Sequence, residues 1–375
     1  MAGEQDEVSG TIEAIEAIEA LPPHAPETVA HMMTRLSIRR ERLATILADE
    51  IDAERAAQAW NLLLAAERIL ILPHERPDPD ALGSALGLAY ALEPYGKRCV
   101  VACADPVPAS FTFLPGRERV VRDLPHENFD LVVALDAGEL SRYGALYTRH
   151  KASFDSATVL NLDHHITSPG IGVCPIIDVP SAATAELLTL LLLNRGAAIS
   201  REAAVCLLAG IITDTRAFEF DATTDRTLMA GAYLVACGAV PEVIIKPMYR
   251  MKPLAKVRLW GLTLQTIQSA VDGRIVWATL LRKHLAEVGA SADMDDGLPS
   301  YLMDIDGVAL AALFREDADG TTRVSLRAAA PYDAAAICAA FGGGGHIRAS
   351  GCALPMDITQ AQAVFIAALE AALDG

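Results

Sequence analysis

Acids and histidines gather at a few places along the chain, each where an apolar run ends. His74-Glu75-Arg76-Pro77-Asp78-Pro79-Asp80-Ala81-Leu82-Gly83-Ser84 follows the run RILIL. Asp136 closes LVVAL, Asp163-His164-His165 closes VLNL, and Asp214 closes AGIIT. Taken singly, each is also what a helix cap or a buried histidine pair looks like. Taken together, they set several carboxylates and imidazoles at the ends of neighbouring elements. Carboxylates gathered so closely repel one another unless cations neutralise them. Imidazole beside carboxylate suits Mn, Fe or Zn better than Ca. Two such ions held roughly 3.5–4 Å apart activate a water and clamp the attacking and leaving oxygens of phosphoryl transfer. Pro77 and Pro79 stiffen the first loop, so Asp78 and Asp80 are expected on extended chain, pointing opposite ways and serving different ions.

A second constellation lies near the C-terminus, in Phe341-Gly-Gly-Gly-Gly-His346-Ile-Arg348-Ala-Ser-Gly351. Four glycines in succession let the backbone approach a ligand and turn N–H groups toward an anion. Gly344, Gly345, His346 and Arg348 are the candidate contacts here, with a helix expected to follow. Ser325 and Arg327, in the run RVSLR, are similar in type and join them.

These residues need a scaffold. From Arg68 onward, short apolar runs alternate with amphipathic stretches, the pattern of a parallel α/β sheet with helices on both faces. Strands are expected at RILIL, KRCVVACA (97–104), DLVVALD (130–136) and ATVLNLD (157–163). Helices are expected from Asp80 through Leu92, with Asp80 as the cap, and in SAATAELLTLLLLNRG and SREAAVCLLAGIIT. In an open sheet of this kind ligands bind beyond the carboxyl ends of the strands, where the acids fall. Residues 1–45 read as an extension of unknown role and 46–246 as the catalytic domain. A linker helix is expected over 247–269 and a smaller α+β domain over 270–375.

The chain has 375 residues, 52% hydrophobic and 21% charged, with a formal net charge of −17. That is room for two cores. So acidic a surface repels long polyanions, since non-specific nucleic-acid affinity comes from phosphates neutralised by Lys and Arg. A short substrate held by metal ions and a few arginines is compatible. No apolar run reaches the roughly 18 residues of a membrane span, and the acidic first residues lack the order of a secretory signal. Seven cysteines without a C-x-x-C pair read as reduced thiols, and a cytoplasmic location is expected. There is no G-x-S-x-G and no Walker A motif, so neither an elbow serine nor a P-loop is the engine.

The motif set resembles that of the DHH/DHHA1 phosphoesterase family. HERPDPDALGS matches the family's HxxPDxDAxGS, and Asp136, Asp163-His164-His165 and Thr213-Asp214-Thr215 follow in family order. TDTRAFEFDATT is similar to its TDTxxFxFxxT segment, and GGGGHIRASG to the mark of the DHHA1 domain. The likeness runs from about residue 45 to 375, with the NrnA-like subgroup nearest in architecture. It implies a manganese-dependent hydrolase of very short RNA, of linear dinucleotides such as pApA, or of 3′-phosphoadenosine 5′-phosphate. It implies one ion on His74, Asp78 and Asp136, and another on Asp80, Asp136, His164 and Asp214, with Asp136 bridging. Asp163 would orient His164, and His165 would face the scissile phosphate. Arg327 and His346, with Ser325, would grip another phosphate or sugar edge of the substrate, while Arg348 has no firm counterpart. Neither long nucleic acid nor membrane is implied as a partner, and a homodimer is allowed. The alternatives are a RecJ-like single-strand exonuclease and a metal-free nucleotide-binding protein of the same fold.

Overall fold

The computed structural model describes residues 39–124 and 128–374, so the reading of residues 1–38 lies outside the described residues. The chain divides into two units, Met1–Met251 and Lys252–Gly375.

Unit 1 is built on a five-stranded sheet in the order β2-β1-β3-β4-β5. The strands are β1 (Arg68–Leu72), β2 (Arg98–Val101), β3 (Leu131–Leu135), β4 (Thr158–Asp163) and β5 (Cys174–Ile177). Every neighbouring pair is parallel. Parallel strands are covered on both faces and therefore read as continuous apolar runs, as RILIL and LVVAL do. Ile69, Ile71, Val133 and Leu162 pack against helices α1 (Ala53–Ala65), α2 (Pro79–Leu92), α3 (Thr184–Asn194) and α4 (Arg201–Asp214). On the other face Leu70, Leu72 and Val132 pack on Tyr143, Leu146 and Phe154. Full burial of each such side chain stabilises the fold by about 1.5–3 kcal/mol.

The sheet positions the site through its strand order. From β1 the chain first builds outward to β2, then returns to place β3 on the other side of β1. The loops after β1 and β3 therefore diverge and leave a crevice at their carboxyl ends. Behind it, α2 and α4 pack closely because Gly83 faces the Cys206 carbonyl, where a Cβ would come within 2.3 Å of the oxygen.

Two local expectations change. Asp78, not Asp80, caps α2, accepting a bond from the Ala81 N–H at 2.9 Å. Pro79 is the reason, because its fixed φ suits the first helical position and pulls Asp80 into the first turn. The predicted linker helix is also shorter: Pro253 breaks it, α5 spans Leu254–Leu264, and a strand starts at Gln268. Leu259 of α5 is buried in the core of unit 2.

Unit 2 carries a six-stranded mixed sheet in the order β10-β11-β9-β8-β7-β6. Its strands are β6 (Gln268–Ala270), β7 (Ile275–Leu280), β8 (Leu310–Glu316), β9 (Thr322–Ala328), β10 (Gly344–His346) and β11 (Ala349–Leu354). Only β7 and β8 pair in parallel. The glycine run leads into a hairpin of β10 and β11 rather than the expected helix. Alternate burial of Ser350, Cys352 and Leu354 shows why: the period is two. Among the described residues no single helix is long and apolar enough to cross a membrane, and all seven cysteines are free thiols.

Candidate metal centre

His74 stands just past β1, its Nδ1–H donating to the Glu75 carbonyl at 2.7 Å. That bond turns Nε2 toward acids: Asp136 Oδ2 lies at 3.4 Å and Asp78 Oδ2 at 3.6 Å. Asp136 leaves β3 with φ of 60° and is buried, at 3% exposure. Left-handed backbone is strained for most side chains but tolerated by Asp, and here it follows the turn into Gly138.

On the far side of Asp136, His164 is held by a bond from its Nδ1–H to the Ser181 carbonyl at 3.1 Å. Its Nε2 lies 3.4 Å from Asp214 Oδ2 and 3.6 Å from Asp136 Oδ1. Asp80 completes this side. It is wholly buried and accepts from the backbone N–H groups of Thr184 at 2.7 Å and Ala185 at 2.9 Å, at the start of α3. Asp214 ends α4, where the helix dipole disfavours an acid. The two oxygens of Asp136 thus face two groups, Oδ2 toward His74 and Oδ1 toward His164. Ligand atoms of His74, Asp78 and Asp136 lie within 4.8 Å of one another, as do those of Asp80, His164 and Asp214. The donor set fits divalent cations, and His164 Nε2 is buried without a hydrogen-bond partner among the described residues.

Asp163 takes a different position from the expected one. Its Oδ1 accepts from the His165 ring at 2.7 Å and from the His164 backbone N–H at 2.8 Å. It therefore steadies the ring of His165, while the Ser181 carbonyl orients that of His164. His165 is half exposed and lines a cavity of about 300 Å³ with Gly138, Arg142, Thr167 and Ser168.

The electrostatics register a shortage of positive charge. Burial works against charging His74, yet the carboxylates of Asp136 and Asp78 beside its ring push its pKa up to about 10. For His164, burial is likewise outweighed by Asp214 and Asp136, and the ring rises to about 9. Burial first, then Asp136, raises Asp80 well above the carboxylate range, and burial chiefly lifts Asp214 to about 6. In the metal-free protein protons replace cations. The histidines' raised values stabilise the fold fully below about pH 6.5, their unfolded value, and this is lost as pH climbs through 9–10. Thermal melts in chelator are thus expected to show a Tm falling between pH 6.5 and 9.5. Saturating manganese should oppose the fall, since bound imidazoles must be neutral. A chelator Tm flat over that range would show that these rings are not protonated in the fold.

In unit 2 the register settles which substrate candidates share a face. Ser325 pairs with Gly351, which pairs with Gly344, and Arg327 pairs with Ala349, which pairs with His346. Ser325, Arg327, Gly344 and His346 thus present on one side of the sheet, with Arg327 Nε donating to Ser300 Oγ at 3.3 Å. Gly345 falls between them at φ of 150°, where a Cβ would meet the Ala349 carbonyl at 2.7 Å. Arg348 stands apart, its guanidinium donating to the Tyr332 carbonyl at 2.9 Å.

Sequence reasoning missed Ser181, Thr184 and Gly210. Thr184 Oγ1 donates to Asp136 Oδ1 at 2.9 Å, and a Cβ on Gly210 would come within 2.3 Å of Asp80 Oδ1. Gly210 left a signal, a glycine in an otherwise apolar helix interior. Ser181 acts through its backbone carbonyl, which no residue type announces.

Family models for the DHH family N-terminal domain and the DHHA1 domain match residues 68–211 and 274–374. A Thermus thermophilus protein described as a bifunctional oligoribonuclease and PAP phosphatase NrnA is 35% identical over 300 residues, 78% of this chain and 86% of its own. A Bacillus subtilis protein of the same description is 28% identical, over 77% and 90% of the two chains. The fold is similar to that of an exopolyphosphatase-related protein from Bacteroides fragilis, with a TM-score of 0.75, 24% identity and coverage of 85% and 96%. On the two family models and the 35% identical relative together, the chain belongs to the DHH/DHHA1 family of phosphoesterases.

Proposed function

We propose that this chain is a two-metal-ion hydrolase of short oligoribonucleotides, of linear dinucleotides such as pApA, and of 3′-phosphoadenosine 5′-phosphate. The observation that carries the reading is the division of Asp136, one carboxylate oxygen toward His74 and the other toward His164. His74, Asp78 and Asp136 would hold one ion, and Asp80, Asp136, His164 and Asp214 the other. Two manganese ions there would supply a Lewis acid and a water acidic enough to attack phosphorus at neutral pH.

The chain's own groups do the rest. His165 is fixed by the Asp163 carboxylate, and that bond chiefly raises the pKa of the ring. Its Nε2, turned away from Asp163, would face a phosphate oxygen. Thr184 Oγ1 and the start of α3 hold Asp136 and Asp80 in their ligating positions. Ser325, Arg327, Gly344 and His346 supply a basic face that would retain a nucleotide, with the Gly345 backbone between them, while the net charge of −17 works against longer polyanions. The names of the two relatives above support the same substrate class.

Chelator-treated protein should therefore be inactive on both pApA and 3′-phosphoadenosine 5′-phosphate, with activity restored by manganese. Full hydrolysis after exhaustive chelation would contradict the reading.

A further inference from the structure

The loop between β5 and α3, with the first turn of α3, delivers four bonds to the candidate ligands. The Ser181 carbonyl takes the His164 Nδ1–H at 3.1 Å, and the Thr184 and Ala185 amides donate to Asp80 at 2.7 and 2.9 Å. Thr184 Oγ1 donates to Asp136 at 2.9 Å. The loop itself is locked from behind by one buried guanidinium. Arg226, on the helix Asp225–Ala236, donates from Nε to Glu186 Oε1 at 2.8 Å and from one terminal nitrogen to Asp178 Oδ2 at 2.8 Å. The same nitrogen reaches Ser181 Oγ at 3.0 Å, and the other donates to the Glu50 carbonyl at 3.3 Å. Glu186, wholly buried, uses its second oxygen to accept from the Ala182 N–H at 3.0 Å and Thr227 Oγ1 at 2.8 Å. Ser181 Oγ donates to Asp178 at 2.6 Å. Both ends and the middle of the loop are thus tied to a single side chain.

We propose that Arg226 is a positioning residue: by clamping Asp178–Glu186 it sets the affinity of the cation site formed by Asp80, His164 and Asp214. The bonds shown place Arg226 on the loop's side chains and not on a ligand. The clamp also bears chiefly on one side, since Thr184 meets the shared Asp136 at Oδ1, the oxygen facing His164. His74 is oriented by the Glu75 carbonyl and Asp78 by the Ala81 amide, neither of which belongs to the loop. A planar fork makes these several bonds at fixed angles, which an ammonium cannot reproduce. The proposal rests on the two-ion reading for its ligand, a divalent cation.

The test is calorimetric titration of manganese into the chelator-treated full chain, comparing wild type, Arg226→Lys and Ser181→Ala, with metal-free melts of each. Wild type should show two binding events. Arg226→Lys should weaken one by at least about 10-fold, the scale of losing a group that orients a metal ligand, and leave the other within about threefold. Ser181→Ala, which keeps the backbone carbonyl, should weaken the same event less, and it carries the test if Arg226→Lys fails to fold. A lowered metal-free Tm with both affinities unchanged would reduce Arg226 to a structural residue and overturn the proposal. Equal weakening of both events would overturn it too. A wild-type chain that takes up no manganese would instead sink the two-ion reading, and the proposal with it.

Discussion

Asp136→Ala is expected to abolish hydrolysis, lowering turnover by at least about 10³-fold, beyond the loss from removing one preorganised electrostatic contact. The physical reason is its double engagement. Oδ2 lies 3.4 Å from His74 and Oδ1 3.6 Å from His164, so in the proposed two-ion centre one truncation would strip both cation groups of a ligand. It also leaves His74 and His164 without the acid that helps hold them charged in the metal-free protein. Metal analysis of the purified variant should show most of the bound metal gone. Near-normal turnover at saturating manganese would refute the bridging assignment.

His164→Gln should separate a ligand from a packed core histidine. The ring is oriented by the Ser181 carbonyl, and its Nε2 lies among Asp136 and Asp214, buried without a hydrogen-bond partner among the described residues. Glutamine cannot place an equivalent nitrogen there, so the manganese needed for half-maximal activity should rise on the order of 10²-fold. Turnover at saturating metal should fall less. A core histidine would give the opposite pattern, a lower Tm with an unchanged metal requirement.

Much of the candidate centre is legible in the sequence because of where parallel strands put their chemistry. Such strands are apolar on both faces, so the acid ending LVVAL and the triplet ending VLNL stand out against their runs. Asp214 stood out similarly, as an acid closing a helix that the dipole would prefer to end with a base. The proline-spaced acids misled on geometry, since Pro79 starts a helix where extended chain was expected, yet Asp78 and Asp80 still fall in different cation groups. The segment 178–186, a loop running into α3, was opaque for another reason. Its contacts to the ligands are largely backbone groups, and its lock, Arg226, is 48 residues away from Asp178 in sequence. Nor did the glycine run reveal its hairpin, because glycine carries no side chain from which to read a period. The register of β9, β10 and β11 then set Ser325, Arg327 and His346 on one face and left Arg348 off it.

Metal-dependent hydrolysis restricted to short substrates can be checked by a product time course against substrate length. The chain should be assayed with manganese on pApA, a 5-mer RNA and a 24-mer RNA at equal strand concentration. Initial rates should fall with length, the dinucleotide leading and the 24-mer slower by at least about 10-fold, as the −17 charge repels a polyanion. A 24-mer degraded faster than the dinucleotide would contradict that restriction and point to a RecJ-like exonuclease.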